Sequence, residues 1–252
     1  MSAEYTGTPP AQGLFDPSRE HDACGVGFVV QMKGKRSHAI VENGLQILRN
    51  LEHPGACGCE VNTGDGAGIL IQMPDRFFRK AVTFTLPTVG SYGAGLVFLP
   101  RDEQDRAAVT TVIERVVTEE GARILGWREV PVDDSTVGPS AVAVEPLFRQ
   151  VFIGLPKSKV SVSDPMRAER CLYVIRKRVE AAVDALDLSV ASQKFFYIVS
   201  LSSRTFTYKG MLTAAQLGEM FVDLRDPDMD SALALVHQRF STNTFPSWPL
   251  AH

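Results

Sequence analysis

The chain has 252 residues, 44% hydrophobic and 22% charged, with 26 Lys and Arg against 29 Asp and Glu for a formal net charge of -3. This composition suits a folded protein large enough to bury a core and excludes general disorder. It lacks the basic excess that phosphate contacts demand, which excludes a nucleic-acid partner, and no apolar run reaches the roughly 18 residues of a membrane span.

Ser2 to Arg19 is polar, rich in Pro and Gly and without an apolar period, so it reads as a tail laid on the surface or removed. Met1 to Gly13 lacks a basic start and an apolar core, unlike a signal or transit peptide. Four cysteines, two of them one residue apart, do not make a disulfide framework, and the expected compartment is a reducing cytoplasm. From Cys24 the run Gly-Val-Gly-Phe-Val-Val-Gln-Met predicts a buried strand closed by Lys33-Gly34-Lys35. Ser37 is placed to cap a helix with the stripe Ile40, Leu45, Leu48 and Leu51, ending before His53-Pro54-Gly55.

The stretch from Gly55 to Gly68 holds Cys57 and Cys59 and closes on Thr63-Gly64-Asp65-Gly66-Ala67-Gly68, a glycine density that marks a functional loop. A strand follows over 69–73, and Pro74 opens a short helix at its first position. Strands are predicted over 95–99, 123–130 and 141–153. A helix over 101–121 aligns Val109, Val112, Ile113, Val116 and Val117. Another long helix, over 164–185, turns Cys171, Val174, Ile175 and Val179 inward. Segments 195–200 and 205–208 read as a hairpin through Ser202-Ser203-Arg204, Thr213 caps a short helix, and 232–240 is a final strand. Strands arriving in pairs rather than in strict alternation with helices define an α+β class with mostly antiparallel sheets, in one domain.

Cys24 stands at the junction of tail and first strand. Taken alone, it reads as a small buried hydrophobe. Cleavage after Ala23 would give it a free α-amine titrating at about 7.7–8.0 beside a thiol at about 8.5, so nucleophile and base would come from one residue. Cys57 and Cys59 are too close for a zinc-ligand pair and have no complementary pair elsewhere, so no metal is expected. Gly64 to Gly68 leads into a strand rather than a helix N-terminus, which favours a tight turn lining a pocket over a phosphate cradle. Asp226, Asp228 and Asp230 imitate a calcium loop that fails at Ser231 and His237, leaving a solvated acidic turn. Arg239 offers a flat fork suited to a carboxylate, with a structural salt bridge as the other reading.

In order, the segments Asp22-Ala23-Cys24-Gly25-Val26-Gly27-Phe28, Gly55-Ala56-Cys57-Gly58-Cys59 with Thr63 to Gly68, Ser200-Leu201-Ser202-Ser203-Arg204, Tyr208-Lys209-Gly210-Met211-Leu212 and His237-Gln238-Arg239-Phe240-Ser241-Thr242-Asn243-Thr244-Phe245-Pro246-Ser247-Trp248 resemble the amidotransferase domain that opens the glutamate synthase large chain. The resemblance implies a class II glutamine amidotransferase with the N-terminal-nucleophile hydrolase fold, a four-layer αββα sandwich. It implies that residues 1–23 are a propeptide and 24–252 the amidotransferase domain. Cys24 would be the nucleophile and Arg239 the group that holds the glutamine α-carboxylate. Thr242 and Asn243 would line the glutamine pocket, with Asp65 and Gly66 in the loop beside it.

No cofactor is implied within this segment. FMN and an iron–sulfur cluster are implied for the full-length enzyme, with 2-oxoglutarate as the ammonia acceptor and a small subunit or ferredoxin as electron donor. Two departures stand out. Pro54 replaces a common Arg, and the chain stops at His252, ahead of the family's oxyanion Asn-Gly pair and a glutamine-binding Asp. The expectation from the second is a C-terminally incomplete domain, with a non-catalytic fragment or interaction module as the alternative. An amidotransferase serving a sugar or purine acceptor is disfavoured by the Cys57 and Cys59 loop and by the Ser200 to Leu212 stretch.

Overall fold

β2 (Ala67–Gln72) and β8 (Leu233–Gln238) place an apolar residue at every second position. Ala67, Ile69, Ile71, Ala234 and Val236 together bury one face of a sheet. The computed structural model describes residues 11–13, 16, 24–52, 60, 62–164, 166–241 and 245–251. Among these, the first sheet runs in the order β1 (Gly25–Val30), β8, β2, β7 (Thr205–Gly210), with every pairing antiparallel. α1 (His38–Asn50) lays Ile40, Val41, Leu45 and Leu48 on the buried face, beside α7 (Ala214–Met220). Thr213 caps α7 through a capping box with Gln216, as the sequence indicates.

The second antiparallel sheet runs β4 (Arg123–Glu129), β5 (Leu147–Gly154), β3 (Tyr92–Leu99), β6 (Tyr197–Ile198). β3 is buried at every position, because both faces of this sheet are covered. Leu96, Phe98, Phe148 and Phe152 join the core that holds Phe206 and Tyr208 of β7. Val97, Leu99, Val151 and Ile153 pack under α3 (Glu103–Glu119) and α5 (Arg167–Asp184), which supply the predicted valines 109, 112, 116 and 117 together with Ile175 and Val179. Phe78 of α2 (Asp75–Ala81) joins the sheets, its ring edge-on to Phe152 at 5.0 Å and to Phe206 at 5.1 Å.

Several local readings need correction. β1 is an edge strand with an open face, where Val26, Phe28 and Val30 are 63%, 66% and 49% exposed. Gly25 and Gly27 take the α1 side, where the helix leaves no room for a side chain at those two positions: a Cβ on Gly27 would lie 2.5 Å from Ile47 Cγ2. The expected hairpin is a crossing between sheets, since β6 pairs with β3 while β7 pairs with β2. Glu169 fixes the crossing by accepting from Ser202 Oγ at 2.8 Å and from the Ser203 backbone N–H at 2.7 Å.

Residues expected to begin the strand over 141–153 instead form α4 (Pro139–Ala143), which starts on a proline with its φ already set for a helix. Ser189 accepts from the Ser192 backbone N–H and starts α6 (Val190–Phe195), which takes the first residue of the strand expected over 195–200; the strand itself is only Tyr197–Ile198. Pro74 occupies the cap position of α2 rather than its first turn, and Ser37 makes no side-chain capping bond. Val174 is exposed, whereas Cys171, Ile175 and Val179 face inward. The acidic turn is bound by cations rather than only solvated: Arg36 meets Asp230, Arg76 meets Asp228, and Lys80 reaches Asp226 and Asp228.

Candidate functional site

Register aligns one end of the first sheet. Gly25 lies opposite Gln238, Gln238 opposite Ala67, and Ala67 opposite Gly210. Cys24, Arg239 and Gly66 each lie one residue beyond that row, so a sheet edge gathers residues scattered along the sequence. Alternation along the strands puts Cys24, Arg239 and Lys209 on the face opposite α1.

Cys24 is exposed. Its Sγ accepts from the Phe240 backbone N–H at 3.3 Å and lies 3.7 Å from the Phe240 carbonyl oxygen, a contact across 216 residues. The Arg239 backbone N–H donates to the Gly66 carbonyl at 2.8 Å, and its Nη1 donates to the Asp65 carbonyl at 3.3 Å. The buried Asp65 carboxylate accepts from the Ser241 backbone N–H at 2.5 Å. Asp65 therefore holds both ends of the arch from Arg239 to Ser241, with Phe240 between them turned onto the cysteine sulfur.

Gly66 has φ +148° and is pressed by the end of the chain; a Cβ there would stand 2.9 Å from Ala251 Cα and Cβ. The segment over 245–251 is tied down at two further points. Trp248 is buried and donates its indole N–H to the Ala141 carbonyl at 3.0 Å, and Lys209 Nζ donates to the Pro249 carbonyl at 2.8 Å. Burial, with Arg176 and Arg239 adding repulsion, lowers the Lys209 ammonium to about 7. An exposed thiol, a backbone N–H on its sulfur and a neighbouring guanidinium form a pattern suited to attack on a substrate that carries a carboxylate.

Of the residues singled out from the sequence, Cys24, Asp65, Gly66 and Arg239 come together here. Thr242 and Asn243 lie outside the described residues, as do Pro54, Cys57, Cys59 and nearly all of the 1–23 tail. Lys209, Phe240 and Ser241 stand inside the quoted motifs, but the sequence assigns them no role. A lysine inside a strand between Tyr208 and Gly210 is itself a signal, because strand interiors seldom bury an ammonium. Among the described residues no group of three or more His, Cys, Asp or Glu is placed to hold a metal ion, and no helix is long and apolar enough to cross a membrane.

Residues 24–252 match the family model of class-II glutamine amidotransferases, and the chain belongs to that family. The two antiparallel sheets with their helices form an α+β sandwich consistent with the N-terminal-nucleophile hydrolases. The chain is 45% identical over 251 residues to the glutamate synthase [NADPH] large chain of Bacillus subtilis (strain 168), covering 98% of this chain and 16% of that one. It is 41% identical over 241 residues to the glutamate synthase [NADPH] large chain of Azospirillum brasilense, covering 94% and 15%. It is 37% identical over 238 residues to ferredoxin-dependent glutamate synthase 2 of Synechocystis sp., covering 92% and 14%. The chain thus spans 16% or less of the length of these curated relatives.

Proposed function

We propose that this chain is the glutamine amidotransferase portion of a glutamate synthase, in which Cys24 hydrolyses glutamine and the ammonia is passed to 2-oxoglutarate. The observation that carries this reading is the convergence of Cys24, Asp65 and Arg239 at one sheet edge. In this reading residues 1–23 are a propeptide, and its removal frees the Cys24 α-amine. The amine takes the thiol proton, and the thiolate attacks the side-chain amide carbon of glutamine. The carbon–nitrogen bond breaks, ammonia leaves with the returned proton, and water cleaves the glutamyl thioester to glutamate and free thiol.

Arg239 holds the substrate α-carboxylate, and Asp65 and Gly66 keep Arg239 in place. Thr242 and Asn243 are assigned to the wall of the same pocket. Combining ammonia with 2-oxoglutarate to give glutamate and water consumes two electrons and two protons. FMN and an iron–sulfur cluster, fed by a small subunit or ferredoxin, supply those electrons in the complete enzyme. In this reading those groups belong to the synthase portion of the complete enzyme. A cytoplasmic setting is proposed on the cysteine usage, which makes no disulfide framework.

N-terminal sequencing and intact mass of the complete enzyme test the maturation step. Loss of residues 1–23 and a free N-terminal Cys24 are expected, and full glutamine-dependent activity with the tail retained would overturn the proposed base.

A further inference from the structure

Lys209 lies opposite Gly68 in the β7–β2 register and is only 3% exposed. Its ammonium donates to the Pro249 carbonyl and sits 4.2 Å from the centroid of the Tyr197 ring. A buried cation is ordinarily matched by an anion. Here the charges acting on it among the described residues are two further cations, Arg176 of α5 and Arg239 at the end of β8. Arg176 is engaged with Glu180 at 2.8 Å, and the Asp65 carboxylate is turned to the Ser241 N–H. His237 of β8 lines the same shallow cavity as Lys209, about 110 Å³ in volume, on the open face of the sheet.

We propose that Lys209 is a positioning residue for the carboxylate end of the glutamine site, and that a carboxylate arriving at Arg239 loads a proton onto it. The proposal rests on the reading of Arg239 as the carboxylate-binding group. A negative charge placed near Lys209 offsets the repulsion that Arg176 and Arg239 add to the burial that discharges it. The charged ammonium then holds Pro249 more firmly. Through Trp248 and Ala251, that segment presses on Gly66, whose carbonyl accepts from the Arg239 backbone. Coupling is reciprocal: if carboxylate binding favours the proton, the proton favours the carboxylate by the same factor. With the Lys209 ammonium lowered to about 7, by burial first and like charge second, the effect falls near neutral pH. Glutamine affinity should weaken as pH rises through 7, the direction set by a group whose bound-state pKa is the higher.

The test is calorimetric titration of L-glutamine into the complete enzyme carrying Cys24→Ala to stop turnover, at pH 7.5 in two buffers of different ionisation enthalpy. Uptake of about half a proton per glutamine is expected from a group titrating near this pH. Adding Lys209→Met should abolish the uptake and flatten the dependence of Kd on pH between 6.5 and 8.5, whereas His237→Gln should keep both. In the otherwise wild-type enzyme, Arg176→Met removes one repelling cation and should move the midpoint of the KM-against-pH profile upward with kcat little changed.

Uptake that survives Lys209→Met, that disappears with His237→Gln, or that is absent while glutamine binds in an Arg239-dependent way would overturn this proposal alone. So would a midpoint unmoved by Arg176→Met, a readout that stands even where Lys209→Met fails to fold. Glutamine binding indifferent to Arg239→Met would overturn the site reading together with it.

Discussion

Cys24→Ala in the complete enzyme is expected to lower glutamine-dependent glutamate formation by at least about a thousandfold, as removal of a nucleophile does elsewhere, while ammonia-dependent formation keeps most of its rate. The split follows from where the residue stands. Cys24 precedes β1 at the open end of the first sheet, exposed, with its sulfur on the Phe240 backbone N–H. Its loss removes the attacking atom without opening a core cavity, so the fold and any downstream chemistry should persist. Cys24→Ser should fall nearly as far, because a hydroxyl is not ionised at neutral pH. Parallel assays with glutamine and with ammonium salts check this; equal loss of both activities would mean that the substitution acts through folding.

Asp223→Ala carries the largest expected cost in stability. Asp223 lies in the short 3-10 turn Val222–Arg225, its side chain 2% exposed. It receives Arg128 of β4 in a bidentate pair at 2.7 Å on both oxygens, and the Tyr208 hydroxyl at 2.8 Å. Gln150 of β5 closes the network by donating to Tyr208 at 3.0 Å and accepting from Arg128 at 2.9 Å. Arg128 and Gln150 belong to one sheet and Tyr208 to the other, so a single carboxylate joins the two. Burial beside Asp223 keeps the Tyr208 phenol protonated far above its usual range.

Removing the carboxylate strands a mostly buried guanidinium and a buried phenol, a change that costs about 3–5 kcal/mol. For a domain of this size that lowers the unfolding midpoint by roughly 6–20 °C. Asp223→Asn keeps an acceptor for Tyr208 and should lose less. Thermal unfolding of the three forms at neutral pH measures it, and a loss below about 1 kcal/mol for the alanine variant would contradict the role given to the network.

Elements whose periodicity is long and local were legible in the sequence. The valine stripe of α3 and the inward Cys171, Ile175 and Val179 of α5 are set by contacts three and four residues apart. Errors came where a distant partner decides. Val26, Phe28 and Val30 look like core until α1 is seen to occupy the glycine side of β1. The segments around Tyr197 and Thr205 look like a hairpin until each finds a different sheet, with Glu169 holding the crossing between them. The candidate site was legible as an ordered set of motifs, and its cysteine, aspartate, glycine and arginine do meet. Lys209 stands in one of those motifs but takes a role only in the fold, because its partners Tyr197 and Pro249 are not near it in sequence.

The central claim is a glutamyl thioester on Cys24. Isotopically labelled glutamine mixed with the complete enzyme, quenched in acid within one turnover and mapped by peptide mass spectrometry, tests it most directly. The account predicts label on the peptide that begins at Cys24, released by hydroxylamine and absent from Cys24→Ala. Label on another residue, or steady glutamine hydrolysis by the Cys24→Ala enzyme, would contradict it.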